Sequence, residues 1–209
     1  GATIAGSQTQ EGRIAVELAR KLAGKSECTL IGSDVRADCL YAALCNGIMS
    51  HALELDDGNR FAMGHPGVNV IPAVVALGEL EEISGKDAIV SIVAGYEAFG
   101  RIAAAGNPSH YNRGYHTTGT CGTFAAAAAA GKIYRFDADR MVQVLGIAGS
   151  QSAGLFAFMS NGAMTKVLHP GKAAQSGILS AFLIRQGFTG PDTVLEHPQG
   201  FYAAYADQF

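Results

Sequence analysis

Residues 125–130 are six consecutive alanines, set in a segment, 122–134, that alanine dominates. Alanine is the strongest helix former and the smallest side chain that still packs. A helix made of it belongs at the centre of a fold, where neighbouring helices approach closely. The rest of the chain suits such a core, because its periodicity is helical nearly throughout. In residues 11–23, Ile14, Leu18 and Leu22 fall on one stripe, with Arg13, Arg20 and Lys21 elsewhere. In residues 38–53, Leu40, Leu44, Ile48 and Ala52 recur at every fourth position. Further helices are predicted over 72–82, 86–105, 137–149 and 173–186. Only 28–31 offers a short strand, and nothing repeats at a fixed period. The expected fold class is therefore all-α, a multi-helix bundle-like domain over residues 1–190. Residues 187–192 read as its closing turn, and 191–209 as a connector towards a missing domain. Gly1 opens directly onto an apolar stretch, so the domain is expected to be incomplete at its N-terminus.

Of the 209 residues, 48% are hydrophobic and 16% charged, the composition of a globular chain with much internal surface. A net charge of −3 gives no basic footprint, so nucleic acid is not the expected partner. Glycine, serine and charged residues interrupt every apolar stretch before the roughly 18 residues a bilayer requires, so no membrane span is expected. Nor does the start resemble a secretory signal. A cytoplasmic location is the expectation. The four cysteines, at 28, 39, 45 and 121, form no C-x-x-C pair. Cys39 and Cys45 read as core thiols, and Cys121 as a small residue in a tight turn.

Chemistry concentrates in three segments. The first runs from His51 to Gly58 and holds Glu54, Asp56 and Asp57, with His65-Pro66 following. On a helix His51, Glu54 and Asp57 would share one face, being three residues apart. Carboxylates held together in a half-buried cleft separate in pKa, which suits acid–base work. A solvated helix end is the plainer reading, and the apolar Leu53 and Leu55 speak against it. His65, at the mouth of a buried helix, would face that helix's positive end, a place for an anion. The alternating ligands of an EF-hand are missing.

The second segment places Arg113 and His116 before Thr117-Thr118-Gly119-Thr120-Cys121-Gly122. Hydroxyls and backbone N–H groups at a helix start cradle anions, and arginine can grip a carboxylate with two bonds. Simple capping would explain the threonines, but not Arg113 and His116. The third contains Lys166 and His169, where the lysine could meet a substrate carboxylate. Ser150 and Gln151 offer hydrogen bonds at a helix end, but neither serine of Gly149-Ser-Gln-Ser lies in a nucleophile elbow. The glycine spacings fit neither a dinucleotide fingerprint nor a Walker loop. His110 and His116 have no cysteine or aspartate between them, so a site without metal or other cofactor is expected.

Several motifs occur in a fixed order. They are Asn46-Gly, Ser50-His-Ala-Leu-Glu-Leu-Asp-Asp, His65-Pro66, Gly95-Tyr-Glu, Gly114-Tyr-His-Thr-Thr-Gly-Thr-Cys-Gly-Thr-Phe, Gly146-Ile-Ala-Gly-Ser-Gln and Thr165-Lys-Val-Leu-His. In this the chain resembles the MmgE/PrpD family across essentially its whole length. That family includes 2-methylcitrate dehydratase, cis-aconitate decarboxylase and iminodisuccinate epimerase. The resemblance implies a large helical domain, a smaller α+β lid beyond it that adds a lysine and a tyrosine, no metal, and a homodimer. Carried over by motif, Glu54 stands where decarboxylases have an active-site aspartate. His65 matches the histidine of their His-Pro turn, His116 the one before Thr-Gly-Thr, and Lys166 the lysine before Leu-His. Gly58 replaces a threonine of the decarboxylases and dehydratases, and the dehydratases' longer Asn-Asp-Thr-Trp pattern is absent.

The expected activity is a metal-free lyase that dehydrates or decarboxylates a small di- or tricarboxylate. His65, Arg113 and Lys166 would hold carboxylates, with Thr118, Ser150, Gln151 and His169 as further substrate contacts. His116 or Glu54 would move the proton, and Asp57 would tune a neighbour. Two alternatives stand beside it: an epimerase or racemase of an imino or amino dicarboxylate, and a non-catalytic domain that binds or oligomerises.

Overall fold

The alanine helix is the middle of the molecule. In the computed structural model, which describes residues 1–22 and 24–209, every residue from Thr117 to Gly131 is buried. In chain order the helices are α1 (Ala2–Gly6), α2 (Gln10–Leu22), α3 (Cys39–His51), α4 (Gly67–Leu80), α5 (Gly85–Gly106), α6 (Ser109–Asn112), α7 (Thr117–Ile133), α8 (Ala138–Gly149), α9 (Thr165–Arg185) and α10 (Phe201–Tyr205). Residues 156–160 add a 3₁₀ turn. Helices α5, α4, α8 and α9 pack around α7, and α3 lies against the far side of α9. The fold is all-α, as expected. The predicted helix 11–23 is seen as Gln10–Leu22, and Ala23 lies outside the described residues.

Small residues set the helix spacings. A Cβ on Gly177 of α9 would lie 2.4 Å from the Cβ of Ala126. A Cβ on Gly47 of α3 would lie 2.5 Å from the Cα of Gly171. At both crossings the backbones are nearly in contact, so a side chain there would have to push two helices apart.

Three helices begin earlier than predicted. Helix α7 starts at Thr117 rather than 122, α4 at Gly67 rather than 72, and α9 at Thr165 rather than 173. Local breakers caused the short readings. Pro72 and Pro170 each lie at the sixth position of their helix and give up one bond to the carbonyl four residues back. Burial of both prolines among close-packed helices outweighs that loss. The predicted strand is present as β1 (Cys28–Thr29), which pairs antiparallel with β2 (Arg36–Ala37), a partner the pattern did not signal. Buried Asn46 ties this hairpin to α3 through Ile31 N–H at 2.9 Å and the Thr29 carbonyl at 3.0 Å.

Two further expectations meet a different outcome. By length and composition α5, of 22 residues, is apolar enough to cross a membrane. Ser91, Gly95 and Gly106 do not interrupt it, because they are buried where it packs. A Cβ on Gly95 would lie 2.7 Å from Val70, and Phe99, Ile102 and Ala103 join the core beside α7. Residues 191–209, expected as a connector, lie against the helices. Phe201, Tyr202 and Ala206 are buried, Tyr202 donates to the Ile102 carbonyl at 3.0 Å, and Tyr205 donates to that of Ser152 at 3.0 Å.

Candidate active site

Three helices begin at one cavity. His65 stands just ahead of α4, His116 is the N-cap of α7, and Lys166 lies in the first turn of α9. These side chains, with Thr118, border a cavity of about 220 Å³ that Tyr111, Phe156 and Phe158 also line. Each helix turns the positive end of its dipole this way, and although Asp57 already takes the first N–H of α4, the three together favour an anion. Buried Asn69 clamps two of the starts to each other. Its amide donates to the carbonyls of His65 at 3.0 Å and Thr118 at 3.3 Å, and the His65 N–H donates to the Thr118 hydroxyl at 3.2 Å.

The acidic segment is not the helix the spacing predicted. Helix α3 ends at His51, and Glu54 takes a left-handed φ of 52°. The shared face of His51, Glu54 and Asp57 therefore does not form, and the three carboxylates separate. Glu54 is exposed and takes the Lys166 ammonium as an ion pair. That bond holds its carboxyl below the usual range. Asp57 accepts the Gly67 N–H at 3.0 Å and the Tyr96 hydroxyl at 3.0 Å, and so caps α4 from outside the helix. Asp56 turns inward between two imidazoles. Its oxygens lie 3.0 Å from Nδ1 of His51 and 3.1 Å from Nδ1 of His65. Burial works against its charge, but the contacts with these two imidazoles prevail and hold its carboxyl well below the ordinary range. The Asp56 contact in turn raises His65, whose Nδ1 also donates to the Asp57 carbonyl at 2.6 Å.

On the opposite wall His116 and His169 meet Nδ1 to Nδ1 at 2.9 Å, with no carboxylate between them. Burial first, then the charges of His169, His51 and Lys166, push His116 down to about 2. Burial lowers His169 as well. Both are neutral near pH 7, one Nδ1 donating and the other accepting. Among the described residues, the donors of His51, Asp56 and His65 are the one trio gathered within 4.8 Å of one another. Nδ1 of His51 is already bonded to Asp56, and Nδ1 of His65 to the Asp57 carbonyl.

Of the residues singled out in the sequence, His65, His116, Thr118 and Lys166 line the cavity directly. Glu54 joins through Lys166, His169 through His116, and Asp57 through His65. Arg113, Ser150 and Gln151 lie elsewhere. Arg113 is paired with Asp207 beside a different cavity. Ser150 borders a third cavity with Phe201 and Tyr205. Gln151 donates to the Ser180 hydroxyl at 2.8 Å and the Ser176 carbonyl at 3.3 Å, tying α8 to α9. Sequence reasoning missed the bridging position of Asp56 and the wall of Tyr111, Phe156 and Phe158.

Fold and site together define an all-α domain with an anion-attracting, histidine-lined cleft at converging helix starts. The model of the MmgE/PrpD N-terminal domain matches residues 1–209, and the chain belongs to that family. It is 33% identical over 214 aligned residues to the cis-aconitate decarboxylase of Homo sapiens, covering 99% of this chain and 44% of that protein. The cis-aconitate decarboxylase of Aspergillus terreus is 35% identical over 179 residues, 83% of this chain and 36% of its own length. That of Mus musculus is 31% identical over a like share. The chain thus spans less than half the length of these relatives.

Proposed function

We propose that this chain supplies the helical side of a lyase active site, which removes water or carbon dioxide from a small di- or tricarboxylate. The observation that carries this reading is the meeting of three helix N-termini and Lys166 at one cavity. One substrate carboxylate displaces Glu54 from Lys166 and takes its ammonium. The others face the N–H ends of α4 and α7. His116, neutral in its buried pair, accepts the proton beside a carboxylate, and the negative charge of the bound acid raises its proton affinity as it does so. His65, richer in protons, gives one to the departing group or to the carbon that loses carbon dioxide. Lys166 and the helix ends stabilise the charge that develops between these steps. The similarity to proteins named cis-aconitate decarboxylases supports the decarboxylating form.

The protein is further proposed to be cytoplasmic and to pair with a second copy. The exposed Ile89, Val90 and Val93 of α5 offer an apolar face suited to that contact. The test of activity is proton NMR in deuterated water on the full gene product, with cis-aconitate, methylcitrate and an iminodisuccinate-type acid. Loss of an acid with a new vinyl or methylene signal establishes the lyase and its substrate. Exchange of one C–H with the skeleton intact would replace it by an epimerase.

A further inference from the structure

Asp56 is the one carboxylate at the cleft whose hydrogen bonds go wholly to imidazoles. Its neighbour Asp57 does what structural carboxylates do, capping a helix through a backbone N–H. Glu54 is exposed on an ion pair. Asp56 has only 6% of its side chain exposed, and among the described residues its partners are two imidazoles: a hydrogen bond with Nδ1 of His51 at 3.0 Å and an ion-pair contact with Nδ1 of His65 at 3.1 Å. Burying a carboxylate with no backbone donor costs free energy unless its partners carry the matching charge.

The geometry of the imidazoles gives the cost a purpose. A carboxylate accepts and does not donate, so both Nδ1 atoms that face Asp56 carry hydrogens. For His65 this is reinforced by the Asp57 carbonyl at 2.6 Å, which can only accept. With Nδ1 fixed on the loop, the Nε2 edge of His65 is the edge left for the cavity it lines. His51 is fully buried, its ring centroid 4.8 Å from that of His65, and its Nε2 has no partner. That arrangement serves no bond of its own beyond the one to Asp56.

We propose that Asp56 is a positioning residue acting through His65: its carboxylate holds the imidazole by Nδ1 so that Nε2 presents a proton to the cavity, while His51 anchors the same carboxylate from behind. This rests on the reading that His65 is the proton donor of a lyase. Other charges also face His65. Glu54 and Lys166 stand across the cleft, His116 at the start of α7, and Asp57, itself bonded to Tyr96 of α5, beside it. All of them remain when Asp56 alone is changed, so its effect can be isolated.

In the full gene product, Asp56→Asn removes the charge that favours imidazolium at His65. A proton donor must be protonated to act, so activity falls as pH rises through its pKa. The basic limb of the kcat/KM profile therefore moves to lower pH by about one unit or more. At pH 8 kcat/KM falls on the order of tenfold, and Asp56→Glu recovers part of the loss. A folded Asp56→Asn enzyme with an unmoved basic limb overturns the proposal. His65→Gln separates the two layers. If it turns over like the wild type, the donor role of His65 is wrong. If it is inactive while Asp56→Asn is unshifted, the donor role survives and the role of Asp56 does not. Should Asp56→Asn fail to fold, ring ¹⁵N titration of the wild type decides. His65 keeps the Nδ1 hydrogen and loses the Nε2 hydrogen if the proposal holds, and the reverse order overturns it.

Discussion

The two walls of the cleft hold the same kind of side chain in opposite electrical settings. His51 and His65 share a buried carboxylate, and His65 gains proton affinity from it. His116 and His169 share only each other, and burial strips them of it. Imidazole alone would titrate near 6.5 on either wall. Burial drives His116 and His169 down, and the Asp56 carboxylate, which has no counterpart beside them, holds His65 up. Pairs of titratable groups forced apart in this way mark which side gives a proton and which takes one. Both histidines stand at helix starts, but Asp57 answers the positive end of α4, whereas His116 is the N-cap of a 17-residue helix with no side-chain cap, whose positive end opposes a second proton.

The severest way to break the comparison is to delete one wall. His116→Ala should lower kcat by on the order of 10²- to 10⁴-fold in the full gene product, with KM changed far less. His116 makes no side-chain cap bond to α7, so the helix start has no such support to lose. A steady-state rate within tenfold of the wild type would remove His116 from the proton path.

Much of this arrangement is legible in the sequence, and the part that is not has a clear physical origin. Helix spacing and alanine content expose the long helices and the central place of α7, because those signals are periodic and local. The His-Pro turn, the His before Thr-Gly-Thr and the Lys before Leu-His mark three cavity residues through the motifs the chain shares with its family, even though all three helices begin earlier than the pattern predicts. Asp56 was invisible as the bridge. Spacing can only ask which residues share a helix face, and α3 has ended before Glu54. Which way a loop carboxylate points is set by imidazoles on two elements, and no period encodes that. Phe156 and Phe158 are hidden for the same reason, standing on a five-residue turn with no stripe to follow. The early starts of α4 and α9 were masked by prolines that tertiary packing tolerates.

A smaller change sharpens the contrast by making the walls alike. His169→Asp places a carboxylate beside Nδ1 of His116, the partner His65 already has. The new charge favours imidazolium at His116, so at neutral pH less of the base is free. Turnover should fall by about tenfold and recover as pH rises, moving the optimum upwards. An optimum that stays in place would mean that the missing carboxylate is not what keeps the two walls apart.

The same difference should be readable in stability. His116 is held far below its unfolded value, so the unfolded chain binds more protons once pH drops under about 6.5. The stabilisation is complete above that pH and is lost progressively as pH falls towards about 2. His65 works the other way, its folded value being raised. Its contribution is full below about 6.5 and fades as pH rises through the higher folded value. Thermal midpoints measured from pH 7 down to pH 5 should decline, and His116→Gln should decline less steeply than the wild type over that range. Parallel slopes would mean that His116 takes up its proton in the folded state without penalty.

The weakest effect is expected outside both walls. Arg113 attracted notice in the sequence as a guanidinium three residues from His116, suited to a carboxylate. In the fold it borders another cavity, and its charge is answered by Asp207. An exposed pair of this kind contributes little and is screened by salt. Arg113→Ala should therefore leave kcat/KM within about twofold of the wild type and insensitive to substrate charge. A tenfold rise in KM confined to polycarboxylates would bring Arg113 back to the substrate. It would also mean that the anion is held by more than the three helix starts and Lys166, so the contrast between the walls would not suffice to describe the site.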